Sequence, residues 1–145
     1  MMAESEIKHA QSAEDMARIF PVMHELRPHL KDADDFIERA GRQHARGYRL
    51  IYVENEEGVP VACAGYRLIE YLFAGPSLYV DDLICLEPFR GQGYAEAQMR
   101  WMEAEAREQG CETFHLDSGT HRTRAHHFYF REGLSITSFH FAKKL

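Results

Sequence analysis

Arg90-Gly91-Gln92-Gly93-Tyr94-Ala95 lies between an apolar run, Leu83-Ile84-Cys85-Leu86, and a long amphipathic segment, and its reading decides the fold. Two glycines one residue apart let the backbone turn with positive φ and let its amides approach a ligand with no Cβ in the way. A helix start follows directly. Amides at a helix N-terminus are unpaired, point outward and carry the positive end of the dipole, so a diphosphate fits there. The same pattern also describes a plain glycine-containing turn from strand to helix, so the flanking sequence must decide between them.

Downstream of the loop, Ala95, Met99, Met102 and Ala106 recur at helical spacing, with Glu96–Arg100 and Glu103–Arg107 as i,i+4 pairs on the opposite side. Gly110 stops this helix and Thr113-Phe114-His115-Leu116 returns as a strand. Strand, helix, strand is a βαβ crossover whose two strands run parallel. A shorter helix is expected over Thr123 to Arg131, capped by Gly133, and a last strand over Ile136 to Phe141.

Upstream, Ile7 to Ala10 reads as a short first strand, and Ser12 before Ala13-Glu14-Asp15 signals a capped helix running to Phe20. Pro21 and Pro28 break the pattern, so two short helices are expected before Gly47. Tyr48 to Val53 alternates as a strand, and Asn55-Glu56-Glu57-Gly58 is a turn. Val59 to Leu72 forms a long strand that must bend or bulge at Gly65; Gly75-Pro76 is the next turn, and Leu78 to Leu86 the next strand. These strands form an antiparallel meander. No repeat, linker or low-complexity stretch interrupts residues 1–145, which are expected to form one domain.

Composition narrows the functions. The 145 residues, 45% of them hydrophobic, suffice for one substantial core. A net charge of −6, from 17 Lys and Arg against 23 Asp and Glu, with the basic residues scattered, argues against a nucleic-acid partner. Cys63, Cys85 and Cys111 are odd in number and far apart, which points to a reducing, cytoplasmic compartment rather than to a disulfide framework or a zinc site. The polar, acidic start does not resemble a secretion signal, and no apolar run approaches the ~20 residues a membrane helix needs. The nine histidines match no ligand spacing, so no metal is expected.

A phosphate-binding turn between a strand and a helix is a nucleotide-type site. A P-loop is excluded because Gly93-Tyr94-Ala95 lacks Gly-Lys-Ser/Thr, and a dinucleotide fold because the third glycine is missing. The chain resembles the GNAT acetyltransferase superfamily, whose signature Arg/Gln-x-x-Gly-x-Gly/Ala is matched by Arg90, Gly93 and Ala95. The resemblance extends through Tyr79-Val80-Asp81-Asp82-Leu83, Glu87-Pro88-Phe89 and Ala125-His126-His127-Phe128-Tyr129. The tail is similar to aminoalkylphosphonate acetyltransferases and the Tyr-Val-Asp-Asp strand to diamine acetyltransferases.

That resemblance implies a GNAT fold of the α/β type: a mixed, mostly antiparallel sheet with a central splayed parallel pair and helices on both faces. It implies acetyl-CoA as co-substrate, its diphosphate on the amides of Gly91, Gln92, Gly93, Tyr94, Ala95 and Glu96, with Arg90 at the start of the loop. Backbone groups of Leu83, Ile84 and Cys85 would meet the thioester carbonyl and the pantetheine arm. Cys85 itself reads as a strand residue, with no basic partner adjacent in sequence.

The family pattern selects Tyr129 to protonate the departing thiol, which a phenol of reference pKa about 10 can do near neutral pH. The attacking amine must first lose a proton, for which Asp81 or Asp82 is suited. Strand alternation is expected to put only one of them on the site face, and Glu70 is a third possibility. The acids from Glu25 to Glu38 read either as helix caps and surface charge or as a rim attracting a cationic acceptor. The expected reaction is acetylation of a small-molecule primary amine by direct attack, polyamine-like or another amine. Alternatives are an aminoalkylphosphonate, a protein acceptor, or a non-catalytic acetyl-CoA-binding module. Family habit implies a homodimer, with Phe139 and Phe141 as candidate interface residues.

Overall fold

The computed structural model describes residues 5–145. The chain divides into two compact units, one running to His115 and the other Leu116–Leu145. The sheet has five strands, β1 (Lys8–His9), β2 (Arg49–Glu54), β3 (Pro60–Tyr71), β4 (Gly75–Cys85) and β5 (Thr113–Leu116), which neighbour one another in sequence order. β1 to β4 pair antiparallel. The crossover between β4 and β5 makes the one parallel pair of this mixed sheet.

Helix α1 (Ala13–Leu26) opens with the expected capping box: the Ser12 hydroxyl accepts the Asp15 amide at 3.0 Å, and the Asp15 carboxylate accepts the Ser12 amide. The expected break at Pro21 does not occur, and one helix runs on to Leu26. An interior proline costs about 3 kcal/mol. Val22 and Met23, immediately after it, are both buried, at about 1.5–3 kcal/mol each, which outweighs that cost. Helix α2 (Ala33–His44) is capped by Asp32, whose carboxylate accepts the Asp35 amide at 2.8 Å.

α1 and α2 cover one face of the sheet, where Met16, Ile19, Met23 and Phe36 share a core with Leu50, Tyr52, Cys63 and Ile84. Helix α3 (Tyr94–Glu108) lies on the other face, where Tyr94 and Ala95 pack against Val53, Ala62 and Cys85. Its buried stripe of Met99, Met102 and Ala106 carries one polar member, Gln98, whose carboxamide finds no hydrogen-bond partner among the described residues.

Gly75 and Pro76, expected as a turn, belong to β4. The hairpin closes instead through Leu72-Phe73-Ala74, with Tyr71 opposite Gly75, whose φ of 72° fits a three-residue loop. The register with β4 does shift between Gly65 and Tyr66, but the extra residue lies on β4 and not on β3, where the bend or bulge was expected. In the second unit, α4 (Thr123–Arg131) forms as expected. The strand expected over Ile136 to Phe141 does not form, and Ile136, Phe139 and Phe141 are exposed. A strand needs a neighbour to pair with, and apolar residues at 136, 139 and 141 do not share one face of a period-2 ribbon. Among the described residues, no helix is long and apolar enough to cross a membrane.

Candidate active site

The loop after β4 has the geometry its glycines suggest. Gly91 and Gly93 take φ of 79° and 90°, and Gly93 is the N-cap of α3. The first intrahelical bond runs from the Ala97 amide to the Gly93 carbonyl at 2.9 Å. No side chain caps this end. The amides of Tyr94, Ala95 and Glu96 therefore have no acceptor within the helix, and a Cβ built on Gly91 would meet nothing within 4 Å. An uncapped helix start beside an open glycine turn fits a diphosphate: donors and dipole both favour an anion.

Arg90 turns back toward the strand. Its Nε donates to the Cys85 carbonyl at 3.0 Å and its Nη2 reaches the Glu25 carboxylate at 3.4 Å. The guanidinium thus ties the end of β4 to the end of α1.

At the end of β4, the Leu86 amide donates to the Val61 carbonyl at 2.9 Å. Ladder alternation then turns the backbone groups of Ile84 toward β3 and those of Leu83 and Cys85 toward the opposite edge. On that edge β5 begins beside Pro76 and Ser77, since the Glu112 amide donates to the Pro76 carbonyl at 2.7 Å and the Ser77 and Thr113 hydroxyls lie 2.6 Å apart. With only four residues, β5 is too short to pair as far as Leu83 and Cys85. Their amides lie beyond its ladder, whereas Ile84 is directed into the sheet. Burial pushes the Cys85 thiol pKa up, with Arg90 pulling the other way, so it is no thiolate nucleophile at neutral pH.

Asp81 and Asp82 depart from the expected alternation. Gly65 pairs with Asp82 and Tyr66 with Val80, which leaves Asp81 as the extra residue of the bulge. Both carboxylates consequently line one cavity of about 360 Å³, together with Met23, Arg27, Leu30, Phe36, Arg39 and Tyr48 among others.

Their environments differ. Asp82 has both oxygens engaged: Oδ1 by the Arg27 guanidinium at 2.9 Å and Oδ2 by the Tyr48 hydroxyl at 2.7 Å. Asp81 accepts from Arg67 Nε at 2.6 Å on Oδ2 only. Its Oδ1 has no partner among the described residues. Burial raises the Asp81 pKa above the ordinary value, outweighing the opposing pull of Arg67. Arg67 also donates to Gln43 Oε1 at 2.9 Å and lies over the Tyr48 ring at 5.6 Å.

Arg27, Tyr48 and Gln43 were not marked in the sequence as site residues. The signal that could have found Tyr48 is Gly65. A Cβ built on Gly65 would fall on the Tyr48 phenol, so the missing side chain is the slot that lets this ring reach Asp82. Gly65→Ala is expected to displace the phenol and to lower stability by about 2–3 kcal/mol, measured by urea unfolding. A loss under half a kilocalorie would show that the slot is not needed.

Glu70 lies on the exposed outer part of β3 opposite Pro76 and does not line this cavity. The acids from Glu25 to Glu38 do not assemble into a rim. Asp32 caps α2, Asp35 accepts the Lys31 amide and pairs with Arg39, Glu38 pairs with Arg42, and Glu25 pairs with Arg90. Tyr129 stands on α4 in the second unit, edge-to-face with Phe128 at 5.7 Å between ring centroids. Burial raises its phenol pKa while Arg122 opposes, so the hydroxyl keeps its proton at neutral pH.

Comparison with known proteins shows the family. Residues 12–133 match the Acetyltransferase (GNAT) family. A Bacillus subtilis (strain 168) protein named Uncharacterized N-acetyltransferase YhdJ is 28% identical over 139 residues, covering 94% of this chain and 96% of that one. The Aminoalkylphosphonate N-acetyltransferase of Salmonella typhimurium (strain LT2) is 39% identical over 66 residues, but these are 46% of this chain and only 43% of that relative. Among solved structures, AAC(6')-Iy in complex with the bisubstrate analog CoA-S-monomethyl-acetylneamine superposes with a TM-score of 0.82 at 14% identity, covering 99% of each chain, a likeness of fold. With a family match across most of its length, an uncapped anion cradle after β4 and a carboxylate-bearing cavity on the other face of the sheet, this chain belongs to the GNAT family and is an acetyl-CoA-dependent N-acetyltransferase.

Proposed function

We propose that the chain acetylates the primary amine of a small molecule by direct attack on acetyl-CoA. The observation that carries this reading is the cavity of about 360 Å³ in which Asp81 keeps one carboxylate oxygen unengaged. That volume suits a small acceptor rather than a folded surface.

Asp81 takes a proton from the bound ammonium, directly or through a water, and the freed nitrogen attacks the thioester carbon. Asp82, held on both oxygens, positions the wall. The amides from Gly91 to Glu96 hold the diphosphate. The outward amides at Leu83 and Cys85 stabilise the oxyanion as it forms. As the carbon–sulfur bond breaks, Tyr129 gives its proton to the departing thiolate, the nitrogen sheds its second proton to water to leave the neutral amide, and the phenol is reprotonated from solvent. A phenol whose pKa is raised by burial supports that role. Tyr129→Phe is expected to lower kcat by about a hundredfold while acetyl-CoA affinity, read by calorimetry, stays close to wild type. Unchanged turnover would remove Tyr129 from the mechanism.

The family match crosses the boundary between the two units, which supports a single catalytic domain. Exposed Phe139 and Phe141 support a homodimer, and three free thiols fit a reducing, cytoplasmic setting. Thiol release from acetyl-CoA, compared between small primary amines and peptides with free N-termini, tests the acceptor class. Small amines are expected to support release; release with peptides alone would overturn the reading.

A further inference from the structure

We infer that the acceptor carries an anionic group, a carboxylate, phosphonate or phosphate, at the end remote from its amine, and that Arg39 binds it. This rests on the small-amine reading above and names the class of amine.

The two carboxylates of the cavity already have arginine partners, Asp82 in Arg27 and Asp81 in Arg67. One free oxygen of Asp81 remains for an ammonium. A second ammonium, as in a diamine, finds no other unengaged carboxylate on the wall: none of Asp32, Asp34, Asp35 and Glu38 lines the cavity. Arg39 does line it, as does His29. Arg39 meets Asp35 through Nε alone, at 2.9 Å. Asp35 in turn is committed to the start of α2, where it accepts the Lys31 amide at 3.0 Å. The terminal amines of Arg39 are left with no partner among the described residues. A planar guanidinium with free donors is suited to a carboxylate or a phosphonate.

Arg39 and Gln43 lie one helical turn apart, on the order of 6 Å along α2. Gln43 receives the Arg67 guanidinium, which holds Asp81. Arg39 and the free carboxylate oxygen thus line the same cavity without being each other's partner, and Met23, Leu30, Phe36 and Ala40 supply the apolar part of the lining. A short chain with an amine at one end and an acid at the other matches that lining.

Two measurements test this. The first compares kcat/KM for 3-aminopropylphosphonate, butylamine and 1,3-diaminopropane. The phosphonate is expected to exceed both others by at least about tenfold, and Arg39→Gln to remove most of that preference. Arg42→Gln, at an exposed arginine paired with Glu38 and outside the cavity, is expected to keep it. A preference for the neutral amine or the diamine, or one that survives Arg39→Gln, would overturn the inference. The second titrates propylphosphonate, which has no amine, into the protein by calorimetry. Binding that Arg39→Gln weakens at least about tenfold supports the anion subsite even where no amine is acetylated, an outcome that would refute only the small-amine reading. Absence of propylphosphonate binding to the wild type would overturn it.

Discussion

Gly93→Val is expected to weaken acetyl-CoA binding at least about a hundredfold, the product of two costs at one position. Gly93 has φ of 90° and serves as the N-cap of α3. A β-branched residue there costs about 1–3 kcal/mol of backbone strain if the loop keeps its shape. If the loop relaxes instead, the amides of Tyr94 to Glu96 no longer converge. Each hydrogen bond to a charged group then lost forfeits about 1.5–3 kcal/mol. Calorimetric titration of acetyl-CoA measures the effect. Folding should survive, because the buried stripe of α3 begins beyond the first turn, at Gln98 and Met99. Undiminished affinity in a folded Gly93→Val protein would refute the diphosphate assignment.

Asp81→Asn is expected to lower kcat/KM by about a hundredfold to ten-thousandfold, the usual contribution of a general base. The pH dependence sharpens this. Asp81 accepts a proton only when ionised, and burial raises its pKa above 3.8. In the wild type kcat/KM therefore rises with pH through an acid limb that lies above the ordinary aspartate value. Asp81→Asn has no carboxylate to titrate and should lose that limb. Asp82→Asn should behave differently. Both Asp82 oxygens are bound, by Arg27 and Tyr48, so its loss unpairs Arg27, lowers stability and leaves the limb in place. Were the limb to persist in Asp81→Asn and vanish in Asp82→Asn, the two roles would be exchanged.

The parts of this site governed by neighbouring residues were legible in the sequence. Gly91 and Gly93 announce positive φ, the apolar periodicity from Ala95 to Ala106 announces the helix behind them, and Ser12 with Asp15 announces the start of α1. Features decided by packing were not. Pro21 reads as a stop, yet the burial of Val22 and Met23 carries the helix through it. Gly65 reads as a bend or bulge in β3, and the register shifts beside it, but the extra residue falls on β4. What it does to Asp81 depends on which residues of β3 and β4 pair, which no single segment encodes. Arg27 and Arg67 carry no mark of their partners in sequence and meet Asp82 and Asp81 only after the helices and strands come together. The segment from Ile136 to Phe141 shows the converse, local strand content with no partner to pair with.

Direct transfer is tested most plainly by mixing the protein with acetyl-CoA, with and without a small primary amine, while following thiol release and the intact mass of the protein. The account predicts release that requires the amine, one acetylated amine per thiol, and no added acetyl on the protein. An acetylated protein formed without amine and discharged when amine is added, or thiol release indifferent to the amine, would contradict it.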